Sequence, residues 1–167
     1  MSAEDDNRAV ARRFRQDLWN SGDLAIADEI IASGCIIEAR VPLTTDFARG
    51  PDAIRQLILF YHLAFTDIRV TIDQMIAEGD LVATRWTARG KHKGDLLGIP
   101  PSDHDTVTSG IDMLRIKGGK IVEGWVSWDT LSLLEQLAAD SAAAAGPAGG
   151  PAASPHVEFL SLLNRLR

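Results

Sequence analysis

Residues 79–129, GDLVATRWTARGKHKGDLLGIPPSDHDTVTSGIDMLRIKGGKIVEGWVSWD, hold three strand patterns separated by turn signals. Residues 81–89, 106–116 and 121–128 alternate apolar with polar side chains, the period of a half-buried strand. Between the first two lies a loop punctuated by glycine and proline, KHKGDLLGIPPSD, and between the last two lies Lys117-Gly118-Gly119-Lys120. Upstream, Ile68, Val70 and Ile72 alternate in the same way before Glu78-Gly79-Asp80 turns the chain. The whole second half of the domain therefore reads as consecutive strands.

Before them the period is helical. Val10, Phe14 and Leu18 mark a helix that Asn20-Ser21-Gly22-Asp23 ends, and a short helix over 24–31 follows. Residues 35–41 read as a strand, and Arg49-Gly50-Pro51-Asp52 opens a third helix carrying Ile54, Leu57, Ile58 and Tyr61 to about Phe65. A last helix spans 131–139. Helices followed by a run of strands predict an α+β domain with the helices against one face of a strongly bent, mostly antiparallel sheet, enclosing an apolar pocket. The expected organisation is this domain over 1–140, an Ala/Gly/Pro-rich linker over 141–155 and an amphipathic tail helix over 156–167.

Composition narrows the function classes. The chain has 167 residues, a one-domain length, and its 17 basic against 23 acidic residues give a net charge of −6. That balance, with no basic run, argues against nucleic acid. No apolar run reaches membrane-spanning length, and the start MSAEDDNRA lacks the apolar core of a signal peptide, so the cytoplasm is the expected compartment. The single cysteine, Cys35, excludes an internal disulfide and a thiolate metal cluster. Asp103, His104 and Asp105 share one loop and have no ligand elsewhere at metal spacing, so no metal and no cofactor are expected.

Four pieces of the sequence are similar to the SnoaL-like polyketide cyclases of the ketosteroid-isomerase-like cone-fold superfamily. They are Arg49-Gly50 through Ile54 to Ala64-Phe65-Thr66-Asp67, then Ile76-Ala77-Glu78-Gly79-Asp80. Next come Gly90-Lys91-His92-Lys93-Gly94 with Gly98-Ile99-Pro100-Pro101-Ser102-Asp103, and last Gly119-Lys120-Ile121-Val122-Glu123 with Trp125 and Asp129. The resemblance implies an acid/base aspartate directly after the position held by Trp125, where this chain has Val126. It implies a second polar pocket position, a histidine in the best-known members, that falls on Asp112. It also implies a homodimer.

The hairpin decides which residues share a face. If Gly118-Gly119 is a two-residue turn, partner numbers sum to an odd value and Asp112 sides with Trp125, Ser127 and Asp129. If the loop is Lys117-Gly118-Gly119, the sum is even and Asp112 sides with Gly124, Val126 and Trp128. The resemblance selects the second. A carboxylate on that apolar face is costly to ionise, which suits a general acid or base.

The candidate catalytic residues are Asp112, His92 and Asp129. Trp86, Val126, Trp128, Glu38, Tyr61 and His62 are the candidates for contacting a small apolar or polycyclic ligand. Each has a structural reading beside the functional one: Asp112 as a buried hydrogen-bonded residue, Asp129 as a helix cap, His92 as a solvated loop residue, His62 and the tryptophans as core. The resemblance points to a cyclase or isomerase closing rings by acid/base chemistry on a polyketide-like molecule. The alternatives are epoxide opening by paired carboxylates, with Glu38 or Asp129 reaching Asp112, and a non-catalytic ligand-binding member, which Val126 favours.

Overall fold

The computed structural model describes residues 2–39, 47–96 and 98–144. The first helix, α1 (Ala3–Arg12), begins with a reciprocal cap: the Asp5 amide donates to Ser2 Oγ at 3.2 Å, and the Ser2 amide donates to Asp5 Oδ2 at 3.1 Å. It runs on through a π-helical segment (Arg13–Leu18) into the turn α2 (Trp19–Ser21), where Gly22 ends it in the left-handed conformation. Then follow α3 (Ile26–Ile30), β1 (Ile31–Ala39), β2 (Phe47–Arg49), α4 (Gly50–Ala64), β3 (Phe65–Glu78), β4 (Leu81–His92), β5 (Asp105–Lys117), β6 (Lys120–Trp128) and α5 (Thr130–Ala144).

The strands form one six-stranded sheet in the order β2-β1-β6-β5-β4-β3. All neighbours are antiparallel except β1 with β6, which are parallel. The expected α+β class, with a mostly antiparallel sheet and helices on one face, is what the chain adopts. Three details differ from expectation. Strand β1 starts at Ile31 rather than Cys35. Strand β2 is an addition, and α5 continues to Ala144, into the first residues of the expected linker. The rest of that linker and the expected tail helix over 156–167 lie outside the described residues.

The register of the β5–β6 hairpin combines features of both sequence alternatives. Gly118 and Gly119 are a two-residue turn with φ of 57° and 75°, and Lys117 faces Lys120 across it. That turn needs positive φ at both central residues, which glycine supplies without strain. Beyond it, Ile116 pairs with Ile121 but Arg115 pairs with Glu123, so Val122 is an extra residue on β6. The bulge flips the register, and Asp112 pairs with Val126 and Gly110 with Trp128. The even register holds, yet a bulge produces it rather than a three-residue loop.

On the inner face, alternate residues of β4 and β5 (Val82, Thr84, Trp86; Asp112, Leu114, Ile116) are buried. The main core packs Ala11, Phe14, Leu18, Ile30, Ile54 and Ile58 of the helices against Cys35, Ile37, Val82, Leu114, Ile116 and Ile121 of the sheet. Burial pushes the Cys35 thiol up to about 11, with Glu123's charge adding to it, so the thiol stays protonated at neutral pH. A second cluster, Ala64, Phe65, Leu96, Leu133 and Leu137, closes the other end under the 93–104 loop and α5.

Two side-chain amides complete backbone pairing where strands lack a neighbour. Asn20 Oδ1 accepts from the Val70 amide at 2.6 Å while its Nδ2 donates to the Val70 carbonyl at 3.3 Å. Gln136 does the same at Val107, at 3.0 and 2.8 Å. Each satisfies a strand donor and acceptor at once. The first ties the end of the N-terminal helix to β3, and the second ties α5 to β5. The helices are thereby held over the concave face with space left between them.

Candidate active site

That space is a cavity of about 380 Å³, of the size of a small-molecule site. Its walls are apolar and aromatic: Phe14 and Trp19 from the first helix, Phe60 and Tyr61 from α4, Phe65, Ile68 and Val70 from β3, and Val126 and Trp128 from β6. Exposed Gln56 and Arg89 contribute polar atoms to its lining. Tyr61 links the walls, with ring centroids 5.9 Å from Trp19 and 5.9 Å from Trp128, and burial raises its hydroxyl above the ordinary range.

One charged pair is built into this wall. The Arg15 Nε–H donates to Asp112 Oδ2 at 2.9 Å, and the two side chains are 4% and 0% exposed. The Arg15 guanidinium lies 4.4 Å from the Trp86 ring centroid and is flanked by Phe14 at 5.1 Å and Trp19 at 5.8 Å. Burial raises the Asp112 carboxyl above the ordinary carboxylate range, against the pull of the Arg15 charge and hydrogen bond and of the Trp86 indole. Arg15 lines the cavity; Asp112 stands directly behind it.

Gly110 makes this stack possible. A Cβ there would stand 2.4 Å from Trp86 Cζ2 and 2.7 Å from Trp128 Cβ. Only a residue without a side chain leaves room on β5 between the Trp86 ring of β4 and the Trp128 Cβ of β6, and Trp86 is the ring on which Arg15 rests.

The stack is rich in unpaired polar atoms. Arg15 Nη2, Trp19 Nε1 and Asp112 Oδ1 are buried without a close hydrogen-bond partner, and the Trp86 indole N–H has none nearer than the Asp112 carboxyl it acts on. Buried polar groups are nearly always paired, so the two donors, Arg15 Nη2 and Trp19 Nε1, and the Asp112 acceptor left open beside one cavity mark a place where ligand or water oxygen completes the set.

The sequence candidates divide around this cavity. Trp86, Tyr61, Val126 and Trp128 line it. Glu38 does not: it is exposed on β1, paired with Trp125 and Phe47. His62 is a helix clasp, its Nε2 2.8 Å from the Trp19 carbonyl. Asp129 is exposed and caps α5, its Oδ1 accepting from the Ser132 amide at 3.0 Å. His92 is fully buried rather than solvated, but it sits outside the cavity wall. Its ring is 5.4 Å from Phe65, and its Nδ1 accepts from the Ser102 amide at 3.2 Å. Burial lowers its pKa, more than the nearby Gly94 backbone, Asp140 and Asp95 raise it.

Arg15 was missed in the sequence, although a signal was there. Ala11, Phe14, Arg15 and Leu18 fall at i, i+3, i+4 and i+7, the buried stripe of an amphipathic helix. An arginine inside that stripe needs a buried anion, and Asp112 is the carboxylate placed on the facing strand. No group of three or more His, Cys, Asp or Glu side chains that could hold a metal occurs among the described residues.

A bent sheet closed by helices around an apolar cavity, with a charged pair in its wall, defines a small-molecule enzyme or binding fold of the cone-shaped α+β class. Residues 9–137 match the SnoaL-like polyketide cyclases, and the chain belongs to that family. It is similar to IdmH of Streptomyces antibioticus, described as a candidate polyketide cyclase. The identity is 29% over 82% of this chain and 99% of that one, with a TM-score of 0.68. TsrD of Streptomyces laurentii is 25% identical over 83% of this chain and 99% of that one, with a TM-score of 0.72. A candidate SnoaL-like polyketide cyclase from Jannaschia shares the fold, with a TM-score of 0.74 over 83% of this chain and 96% of that one at 19% identity. No curated protein sequence matches the chain.

Two outcomes follow for stability. Arg15→Met alone strands a buried carboxylate and is expected to cost about 3–5 kcal/mol, whereas Arg15→Met with Asp112→Leu should recover most of that loss. Urea unfolding of the single and double variants checks it; equal losses in both would show that the pair is not coupled. For His92, the folded pKa is lowered, so the unfolded chain takes up the proton first as pH falls. Stability contributed by neutral His92 is complete above its unfolded value and is lost on acidification below it. Wild type should therefore lose stability relative to His92→Gln between about pH 7.5 and about pH 5. A constant difference across that range would contradict the assignment.

Proposed function

We propose that the protein is a cyclase or isomerase that enolises a polyketide-like substrate in this cavity by side-chain acid/base chemistry. The observation that carries the reading is the buried Arg15–Asp112 pair, in which Arg15 lines the cavity, Asp112 stands behind it and each keeps an unpaired polar atom. Family membership supports the substrate class, as does the likeness to IdmH, a candidate polyketide cyclase. Arg15 Nη2 and the Trp19 indole N–H stabilise the developing enolate oxygen. Such preorganised donors in a water-poor site are worth several orders of magnitude in rate. Asp112 Oδ1, the free carboxylate oxygen, takes the proton next to the carbonyl as Arg15 turns its fork onto the substrate, and the carbanion then closes the ring. In this reading His92 and Asp129 shape the fold rather than touch substrate.

Epoxide opening needs a second carboxylate facing Asp112, but Glu38 and Asp129 are both exposed, whereas Asp112 is buried against the cavity-lining Arg15. The non-catalytic reading keeps one supporting observation: Val126 lines the wall where the family resemblance places its acid. A place in cytoplasmic secondary metabolism, antibiotic pathways included, belongs to the same proposal.

Deuterium exchange separates the readings without requiring the natural substrate. In D2O, the enzyme should catalyse exchange at the carbon between the carbonyls of aromatic β-keto esters, followed by mass spectrometry. The rate should rise with pH through an inflection above the ordinary carboxylate range, as Asp112 loses its proton. Asp112→Asn should lower kcat at least about 100-fold with KM little changed, the loss typical of a general base. Ligand binding without exchange in wild type would leave the binding-module reading. The proposed homodimer rests on Ile111 and Met113, 55% and 39% exposed on the outer face of β5. Sedimentation equilibrium should give twice the chain mass for wild type and less for Ile111→Asp; a monomeric wild type would remove it.

A further inference from the structure

We infer that the cavity takes an acidic enol or phenol flanked by a carbonyl, bound as its anion on Arg15 with a proton held on Asp112 Oδ1. This deepens the proposed function and rests on its placement of the ligand oxygen at Arg15.

The inventory of unpaired atoms sets the ligand's chemistry. Arg15 Nη2 and Trp19 Nε1 offer two donors, against one open acceptor on Asp112 Oδ1, while the Trp86 indole N–H is directed to Asp112. The complementary ligand therefore presents oxygen acceptors, with at most one proton to give. Arg15 already has one anionic partner through its Nε–H, so a second anion on its Nη side would leave the buried wall with a net negative charge. In a low-dielectric site that excess is removed by protonating a carboxylate. Asp112 is the carboxylate in contact with Arg15, it has a free oxygen, and burial already favours its neutral form.

The balance is closed. The ligand O–H bond breaks, the Asp112 Oδ1–H bond forms, and the ligand oxygen accepts from Arg15 Nη2. A ligand that arrives already ionised draws the proton from solvent instead. Wall chemistry then chooses among acids. Trp19, Trp86, Trp128 and Tyr61 line the cavity with aromatic surface, which suits a planar anion whose charge is spread over a conjugated system. A localised aliphatic carboxylate would lose more hydration on entering the same walls.

The test uses 2-hydroxy-1,4-naphthoquinone, anionic at neutral pH, and its 2-methoxy ether, which cannot ionise. Calorimetric titration in buffers of different ionisation enthalpy counts protons. Wild type should take up about one proton per naphthoquinone bound, and the ether should bind at least about tenfold more weakly. Asp112→Asn should bind the anion with no proton uptake and an affinity at least that of wild type, because Arg15 has lost its competing carboxylate. A second measurement needs no variant: wild-type affinity for the anion should fall about tenfold per pH unit above neutrality, the slope of one coupled proton. Failure of the anion to bind, binding without uptake, undiminished uptake in Asp112→Asn, or a pH-independent affinity would each overturn the inference. Because this experiment reads equilibrium binding and deuterium exchange reads turnover, proton-coupled binding without exchange sinks the catalytic proposal alone. Exchange without proton-coupled binding sinks this one alone.

Discussion

The hydrogen bond from Arg15 to Asp112 joins the first helix to the middle of the sheet, and both charges lie out of water. Desolvating two such groups costs several kcal/mol each, which their attraction only offsets when the geometry is good. An apolar pair of the same volume would serve stability about as well. Stability therefore does not account for this pair, whereas its position does. Its arginine lines the apolar cavity between helices and sheet, and the pair keeps one donor and one acceptor open.

Much of the surrounding fold serves to hold that contact in place. The Val122 bulge turns Asp112 inward, since without it the two-glycine turn would put Asp112 on the outer face with Trp125. Gly110 clears the space in which Trp86 lies beneath the guanidinium. Asn20, in the turn that follows the π-helical stretch, ties that end of the helix to Val70 of β3. These devices are local departures from regular geometry (a bulge, a missing side chain, a π turn), and such departures often gather near functional sites.

Family membership and the departure from the family pattern describe the same wall. The resemblance places an acid at the position held by Val126, and Val126 does line the cavity, directly across from Asp112 on the neighbouring strand. The buried carboxylate of this chain stands instead one strand away, hydrogen-bonded to Arg15. A lone aspartate on an apolar wall would simply stay protonated. Paired with Arg15, it has a cation that favours its ionised form against the burial that opposes it.

The period-2 strands and the helical stripes were legible in the sequence because each depends on neighbours within a few residues. The hairpin was not: the resemblance selects a three-residue Lys117-Gly118-Gly119 loop, and the chain has a Gly118-Gly119 turn followed by a bulge. The cap at Asp129 was legible, since it needs only the helix that follows it. From these local signals and the resemblance came the α+β class, the enclosed pocket, and Asp112 as the inward carboxylate. The sequence could not show that β1 runs parallel to β6, that Glu38 faces outward or that His92 is buried behind the wall. Nor could it show that Arg15, 97 positions from Asp112, is its partner. Those facts depend on which surfaces meet. Meeting is decided by the register of distant strands and the burial of whole faces, where a single bulge residue moves a side chain from solvent to core.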